Sequence, residues 1–237
     1  MTCNVETRSS ASFLLTLLLF LPGASAPFIL QAQEGGTIRG KIEMAPTIIP
    51  ANRQRPLRYG SSPGGEARKQ SSKGLAPEVT NVVVYLEGPG LDKIRRESKG
   101  AVLDQRDATF IPHVLPIVKG TTVRIVNRDK TYHNVFSLSS TKKFNIGRRP
   151  TEEEVPVTFD KTGTVQVFCD IHSHMSAFVL VLANPMFVQP NADGTFSLND
   201  VPPGKYTIQA WHERLSGAPQ SVTVTAGETT TVNFSLE

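Results

Sequence analysis

Phe168-Cys169-Asp170-Ile171-His172-Ser173-His174-Met175 is the stretch on which the reading of this chain turns. It follows the alternating run Thr164-Val165-Gln166-Val167 and presents a thiol, an imidazole and a thioether at positions i, i+3 and i+6. His133-Asn134 lies 36 residues before Cys169, just ahead of another strand-like run. Two imidazoles, a thiolate and a thioether form a soft, mixed nitrogen and sulfur donor set. Such a set selects copper and suits one-electron transfer. The host of the motif is therefore a β-structure with a strand ending at the thiol and a loop leading back into the next strand.

Outward from this run, alternation dominates and no segment after the first 26 residues keeps a helical period. Candidate strands are Thr37–Ile42, Asn81–Leu86, Thr121–Asn127, Val155–Phe159, Thr164–Cys169 and Ala177–Leu182, then Thr195–Leu198, Lys205–Trp211, Gln220–Thr225 and Thr229–Leu236. Many short runs separated by Gly, Pro, Asn and Asp turns predict an all-β sandwich or barrel. The stretch 45–77 is rich in Pro, Gly, Ser and basic residues and is expected to be a long disordered excursion. Residues 91–100 are read as a short helical turn or a loop.

The 237 residues allow one or two domains. Arg8, the apolar run Phe13–Leu21 and the small residues Ala24-Ser25-Ala26 have the order of an export signal over residues 1–26, with an apolar core too short to span a membrane. Export gives the cysteines their meaning. Only Cys3 and Cys169 exist, and Cys3 lies in the segment expected to be removed. A mature chain with one thiol cannot form an internal disulfide, so a metal is a physical reason for that thiol in an oxidising compartment. The net charge is +4, and Arg53, Arg55, Arg58, Arg68, Lys69 and Lys73 cluster against the single acid Glu66. With Tyr59 as its one interleaved aromatic residue and no nucleic-acid motif, this reads as a solvated basic loop, with docking to an acidic partner as the alternative.

Two family resemblances organise these strands. Asp193-Gly194-Thr195-Phe196-Ser197-Leu198 followed by Pro202-Pro203-Gly204-Lys205-Tyr206-Thr207-Ile208 resembles the carboxypeptidase regulatory-like, transthyretin-type β-sandwich. Such domains open with a Gly-x-Ile-x-Gly-x-Ile strand and then an apolar strand. Gly36–Ile42 and Val82–Leu86 look like those two. The expectation is one sandwich in two parts, 35–90 and 186–237, with a second domain, 101–183, inserted between them. The competing arrangement is two tandem domains.

Residues 101–183 resemble a small cupredoxin of the plastocyanin and amicyanin kind. The resemblance rests on Phe110-Ile111-Pro112, Val118–Val123, Asn127-Arg128-Asp129, His133-Asn134, Gly163-Thr164-Val165 and Cys169–Met175, in that order. The pattern is also similar to exported methylamine-utilisation-like proteins, a label that fixes no substrate. The resemblance implies a Greek-key barrel or sandwich holding one type 1 copper ion. His133, Cys169 and His172 would be its strong ligands and Met175 the weak axial one. It also implies that Asn134 braces the ligand loops by hydrogen bonding. Spacing alone lets His174 compete with Met175, but relatives often carry an aromatic residue there, and the resemblance leaves His174 out. His113 and His212 are read as satisfied structural histidines, and Trp211 as an apolar anchor of the C-terminal sandwich.

The inventory excludes several alternatives. One mature thiol cannot bridge a binuclear copper centre, and five histidines are too few for a multicopper oxidase. A hydrolytic zinc site keeps an open position for water, for which a Cys and Met pair is a poor choice. The expectation is a periplasmic or secreted mononuclear copper protein without catalytic activity. It would act as an electron carrier or redox module for an unidentified redox partner protein. It would bind no nucleic acid and keep no transmembrane segment after maturation. Copper delivery or storage, and a metal-free adhesion or scaffold role, are the alternatives.

Overall fold

The computed structural model describes residues 34–45, 78–95 and 100–237. The expected export signal and nearly all of the basic excursion lie outside the described residues. Within them the chain is all-β, with helix limited to two single 3-10 turns, Glu78–Asn81 and Leu91–Lys93. The strands are β1 (Gly36–Met44), β2 (Val83–Glu87), β3 (Ala101–Arg106), β4 (Thr109–Ile111), β5 (Val114–Val118), β6 (Thr121–Asn127), β7 (His133–Ser139), β8 (Lys142–Arg149) and β9 (Glu154–Phe159). They continue with β10 (Gly163–Phe168), β11 (Ser176–Leu182), β12 (Phe187–Val188), β13 (Thr195–Val201), β14 (Gly204–Trp211), β15 (Gln220–Val224), β16 (Thr229–Thr231) and β17 (Phe234–Leu236).

Four sheets form two face-to-face pairs. One pair consists of the sheet β13-β1-β16, with β17 also on β1, and the sheet β12-β2-β14-β15. Period-two alternation turns Ile38, Ile42, Val84, Leu86, Leu198, Tyr206 and Ile208 into a shared core. The other pair consists of β5-β11-β10-β7-β8 and β4-β3-β6-β9. Its core contains Leu103, Phe110, Val123, Ile125, Val165, Val167, Val179 and Val181. Among the described residues the first two strands thus pair with the last ones: β1 runs antiparallel to β13 and parallel to β16 and β17, and β2 runs antiparallel to β12 and β14.

The expected single strand 229–236 is interrupted at Val232 and Asn233. β16 pairs with Thr37–Arg39 and β17 with Ile42–Met44. Between them the Asn233 side chain, not its backbone, accepts the N–H of Lys41. A Cβ at Gly40 would collide with the Val232 carbonyl oxygen, so the close backbone approach at this break requires glycine.

A third apolar cluster joins the two sandwiches. Val83, Val114, Leu180 and Leu182 are buried in it, with Tyr85, Phe178, Phe187 and Trp211 packed against them. β11 is covered on both faces: Val179 and Val181 enter the core of its own sheet pair, while Leu180 and Leu182 enter the joint. This explains its nearly continuous apolar sequence. Trp211 faces this joint, with its ring 5.7 Å from Phe178, and so anchors the contact between the sandwiches, not the interior of the C-terminal one. Among the described residues no helix is long and apolar enough to cross a membrane.

Candidate metal centre

The site lies at one end of the five-stranded sheet. β7 and β10 meet at the pair Phe136 and Phe168, whose rings are 5.8 Å apart. This contact sets the start of β7 beside the end of β10. His133 is the first residue of β7, Cys169 directly follows β10, and Met175 directly precedes β11. His133, Cys169 and Met175 are all buried, with His133 at 0% exposure, while His172 on the intervening loop is half-buried. Met175 N–H donates to the His172 carbonyl at 2.9 Å, and Cys169 N–H to the Met175 carbonyl at 3.4 Å. The loop therefore closes on itself at its base.

Three donor atoms converge. His133 Nδ1 is 3.8 Å from Cys169 Sγ and 3.1 Å from His172 Nδ1. The three ligand atoms lie within 4.8 Å of one another. The Met175 side chain belongs to the same buried cluster as Cys169. His174 is exposed and meets the His172 ring edge-to-face at 6.0 Å.

The protons are arranged for ligation. His133 Nε2 is 2.8 Å from Asp129 Oδ2, an acceptor, so a neutral His133 ring carries its proton on Nε2. Its unprotonated Nδ1 then points its lone pair at Cys169 and His172. An acceptor nitrogen placed this close to a thiol and a second imidazole fits a shared metal ion well. A carboxylate on the far nitrogen of a ligating His also fixes ring orientation and raises basicity. Burial, followed by the neighbouring His133 and His174, lowers the pKa of His172 from its ordinary value, against a smaller opposing effect of Asp129. The lowered value favours the neutral ring that ligation needs.

Asp129 is the functional residue that the sequence reading did not single out. Burial opposes its charge. However, hydrogen bonds from Ala108 N–H, His133 and Asp107 N–H outweigh that cost and hold its carboxyl below the ordinary range. The same carboxylate organises the β3–β4 hairpin. Asp107 and Ala108 form a two-residue turn with φ of 51° and 50°, conformations that non-glycine residues rarely adopt. Their N–H groups donate to Asp129 Oδ1 at 2.6 Å and Oδ2 at 2.9 Å. Asn127, fully buried, pins the segment that carries Asp129: its Nδ2 donates to the carbonyls of Thr131 and Arg149, and its Oδ1 accepts from Asp129 N–H. The available sequence signal was a carboxylate four residues before the candidate His. Asn134 is buried beside the site, but its Oδ1 has no hydrogen-bond partner, so the expected brace through that atom is not formed.

Residues 177–237 match the family model of the carboxypeptidase regulatory-like domain, a match that starts in β11 and takes in β12 to β17. No curated protein matches the chain. Among solved structures, a purple cupredoxin from Nitrosopumilus maritimus is similar at 24% identity over 35% of this chain and 99% of that one, with a TM-score of 0.32. A methionine-to-alanine variant of amicyanin in its Cu(I) state is similar at 20% identity over 42% of this chain and 98% of that one, with a TM-score of 0.34. An oxidised proline-to-alanine amicyanin variant gives 23% identity over the same shares, with a TM-score of 0.33.

Proposed function

We propose that this chain is an exported mononuclear blue-copper protein, an electron carrier or redox module with no catalytic activity of its own. The observation that carries the reading is the convergence of His133 Nδ1, Cys169 Sγ and His172 Nδ1, with His133 and Cys169 buried and His133 backed by a carboxylate. His133, Cys169 and His172 would hold one ion, with Met175 as the fourth residue, and bound copper would supply a one-electron couple. The protein's own contribution is rigidity and dryness. β7 and β10 fix His133 and Cys169, and the closed loop base fixes Met175 and leaves His172 as the member nearest solvent. His172 is therefore the contact point for a redox partner protein.

The metal-bearing part, residues 101–183, is read as an insertion between the two parts of a sandwich, 35–90 and 186–237. Pairing of β1 with β13, β16 and β17, and of β2 with β12 and β14, supports this arrangement over tandem domains. The leader-like residues 1–26 and the lone mature thiol support a periplasmic or secreted location.

The test is spectroscopic. Copper-loaded protein is expected to absorb intensely in the visible through a sulfur-to-copper transition, and Cys169→Ser is expected to abolish the band. A colourless Cu(II) adduct would reject the blue-site assignment. Rapid loss of Cu(I) to a competing chelator together with slow electron exchange would favour copper delivery instead.

A further inference from the structure

One charged pair stands beside the apolar joint between the sandwiches. His113 lies between β4 and β5, and its Nε2 is 3.1 Å from Oε2 of Glu213, which follows β14. Its Nδ1 is 3.1 Å from the carbonyl oxygen of Ser176, the residue directly after Met175. The His113 ring also packs edge-on to Phe178 at 5.6 Å, and Phe178 meets Trp211 at the joint.

Both atoms facing the ring are acceptors, a carboxylate and a carbonyl. A neutral imidazole has one N–H and can satisfy only one of them, whereas an imidazolium satisfies both. The bridge is thus complete only when His113 is charged. The surroundings favour that state: the hydrogen bond to Glu213 raises the His113 pKa despite the opposing effects of burial and Arg214, and the same bond lowers that of Glu213. The groups facing the ring are Glu213 and Arg214 from the segment after β14, and the Ser176 carbonyl and the uncharged Phe178 from β11.

We propose that Glu213 is a positioning residue for the metal centre: acting through His113, it holds the Ser176 carbonyl and with it the C-terminal end of the ligand-bearing loop. This rests on the reading of His133, Cys169, His172 and Met175 as ligands. The loop base is closed on its β10 side by Cys169 N–H to the Met175 carbonyl at 3.4 Å and by the pairing of Phe168 with Ser176, while the Ser176 carbonyl faces His113. The His113 clamp adds a second hold on the opposite side of the same segment. The carboxypeptidase regulatory-like sandwich then sets the geometry of the centre and does more than carry it.

The experiment uses the full chain as wild type, Glu213→Ala and Glu213→Gln. In the metal-free protein, amide exchange at Met175 and Phe178 is measured across pH and corrected for intrinsic exchange. Glu213→Ala is expected to accelerate both amides about tenfold, the low end for a hydrogen bond to a charged, partly exposed group. Wild type is expected to lose protection as pH rises and His113 gives up its proton. Glu213→Gln keeps the shape, and its amide can donate to a neutral ring. It is expected to retain protection near neutral pH but lack that step. In the copper-loaded protein, Glu213→Ala is expected to shift the sulfur-to-copper band and Glu213→Gln to leave it in place. Unchanged exchange at Met175 in Glu213→Ala, or a pH step that persists in Glu213→Gln, would overturn the proposal. If Glu213→Ala does not fold, the pH step in Glu213→Gln decides alone. If wild type gives no sulfur-to-copper band, the copper reading fails, and exchange in the metal-free chain still decides whether the bridge holds the loop.

Discussion

Replacing Asp129 separates two jobs done by one carboxylate. It accepts two backbone N–H groups of a left-handed turn, and it accepts the Nε2 proton of His133. Hydrogen bonds to a charged group contribute about 1.5–3 kcal/mol each, and water admitted by the substitution recovers part of that, so Asp129→Ala is expected to cost the metal-free chain about 2–4 kcal/mol. The side chain is only 14% exposed, which keeps solvent screening small. Losing the carboxylate behind a ligating His typically lowers metal affinity about 10–100-fold, or about 1.4–2.7 kcal/mol. Asp129→Ala is expected at the upper end, because the ring is also freed to change tautomer. Asp129→Asn is expected near the lower end, because it keeps the volume and one acceptor. Urea denaturation of the metal-free chain reads the first effect, and competition with a copper chelator reads the second. If Asp129→Ala folds, loses stability and yet binds copper within threefold of wild type, the carboxylate serves only the turn. The proton assignment at His133 would then be refuted.

Three further outcomes are expected. His172→Gly opens a gap at the half-buried position, so added imidazole is expected to restore the visible band. His133→Gly is expected to resist rescue because its pocket is closed to solvent, and equal rescue of both would contradict the burial reading. The His113 and Glu213 pair makes stability pH-dependent on two sides. The raised His113 pKa gives a contribution that is complete below its ordinary 6.5 and fades as pH rises through the folded value, while the lowered Glu213 pKa gives one present above its ordinary 4.5 and lost as pH falls through the folded value. The pair's contribution is therefore expected to peak between those values, and denaturation midpoints of wild type and Glu213→Gln that keep a constant difference from pH 4 to 8 would contradict it. Leu180→Ala is expected to remove about 2–5 kcal/mol from the joint, read by urea denaturation, and a loss below about 1 kcal/mol would mean that the two sandwiches barely support each other.

Legibility in the sequence followed the strength of the alternation. Thr121–Asn127 was read to the residue, and the strands on either side of Cys169 within one, because Val123, Ile125, Val165, Val167, Val179 and Val181 all point inward with period two. β8 was missed. It is an edge strand whose Lys142, Lys143, Arg148 and Arg149 hide the inward pair Phe144 and Ile146, as edges protected by basic residues commonly do. β3 was missed for a similar reason, since Asp104 and Gln105 interrupt its apolar run. Asp129 stands in the Asn127-Arg128-Asp129 motif, but its role is not legible there because it depends on a turn 21 to 22 residues away that only folding brings to it.

By itself the sequence determined an all-β chain, a candidate donor set of Cys169, His172 and Met175 within one short loop, and the sandwich-like pattern after Asp193. These follow from local rules, side-chain period and ligand chemistry, which act over a few residues. Tertiary structure alone decided that β1 and β2 close a sandwich with strands more than a hundred residues later, and that His133 turns Nδ1 inward because Asp129 takes the other nitrogen. It also decided that Trp211 and His113 belong to the contact between the sandwiches. Each of these depends on which distant backbone supplies a partner for a strand edge or a buried polar atom, and residue spacing carries no record of that choice.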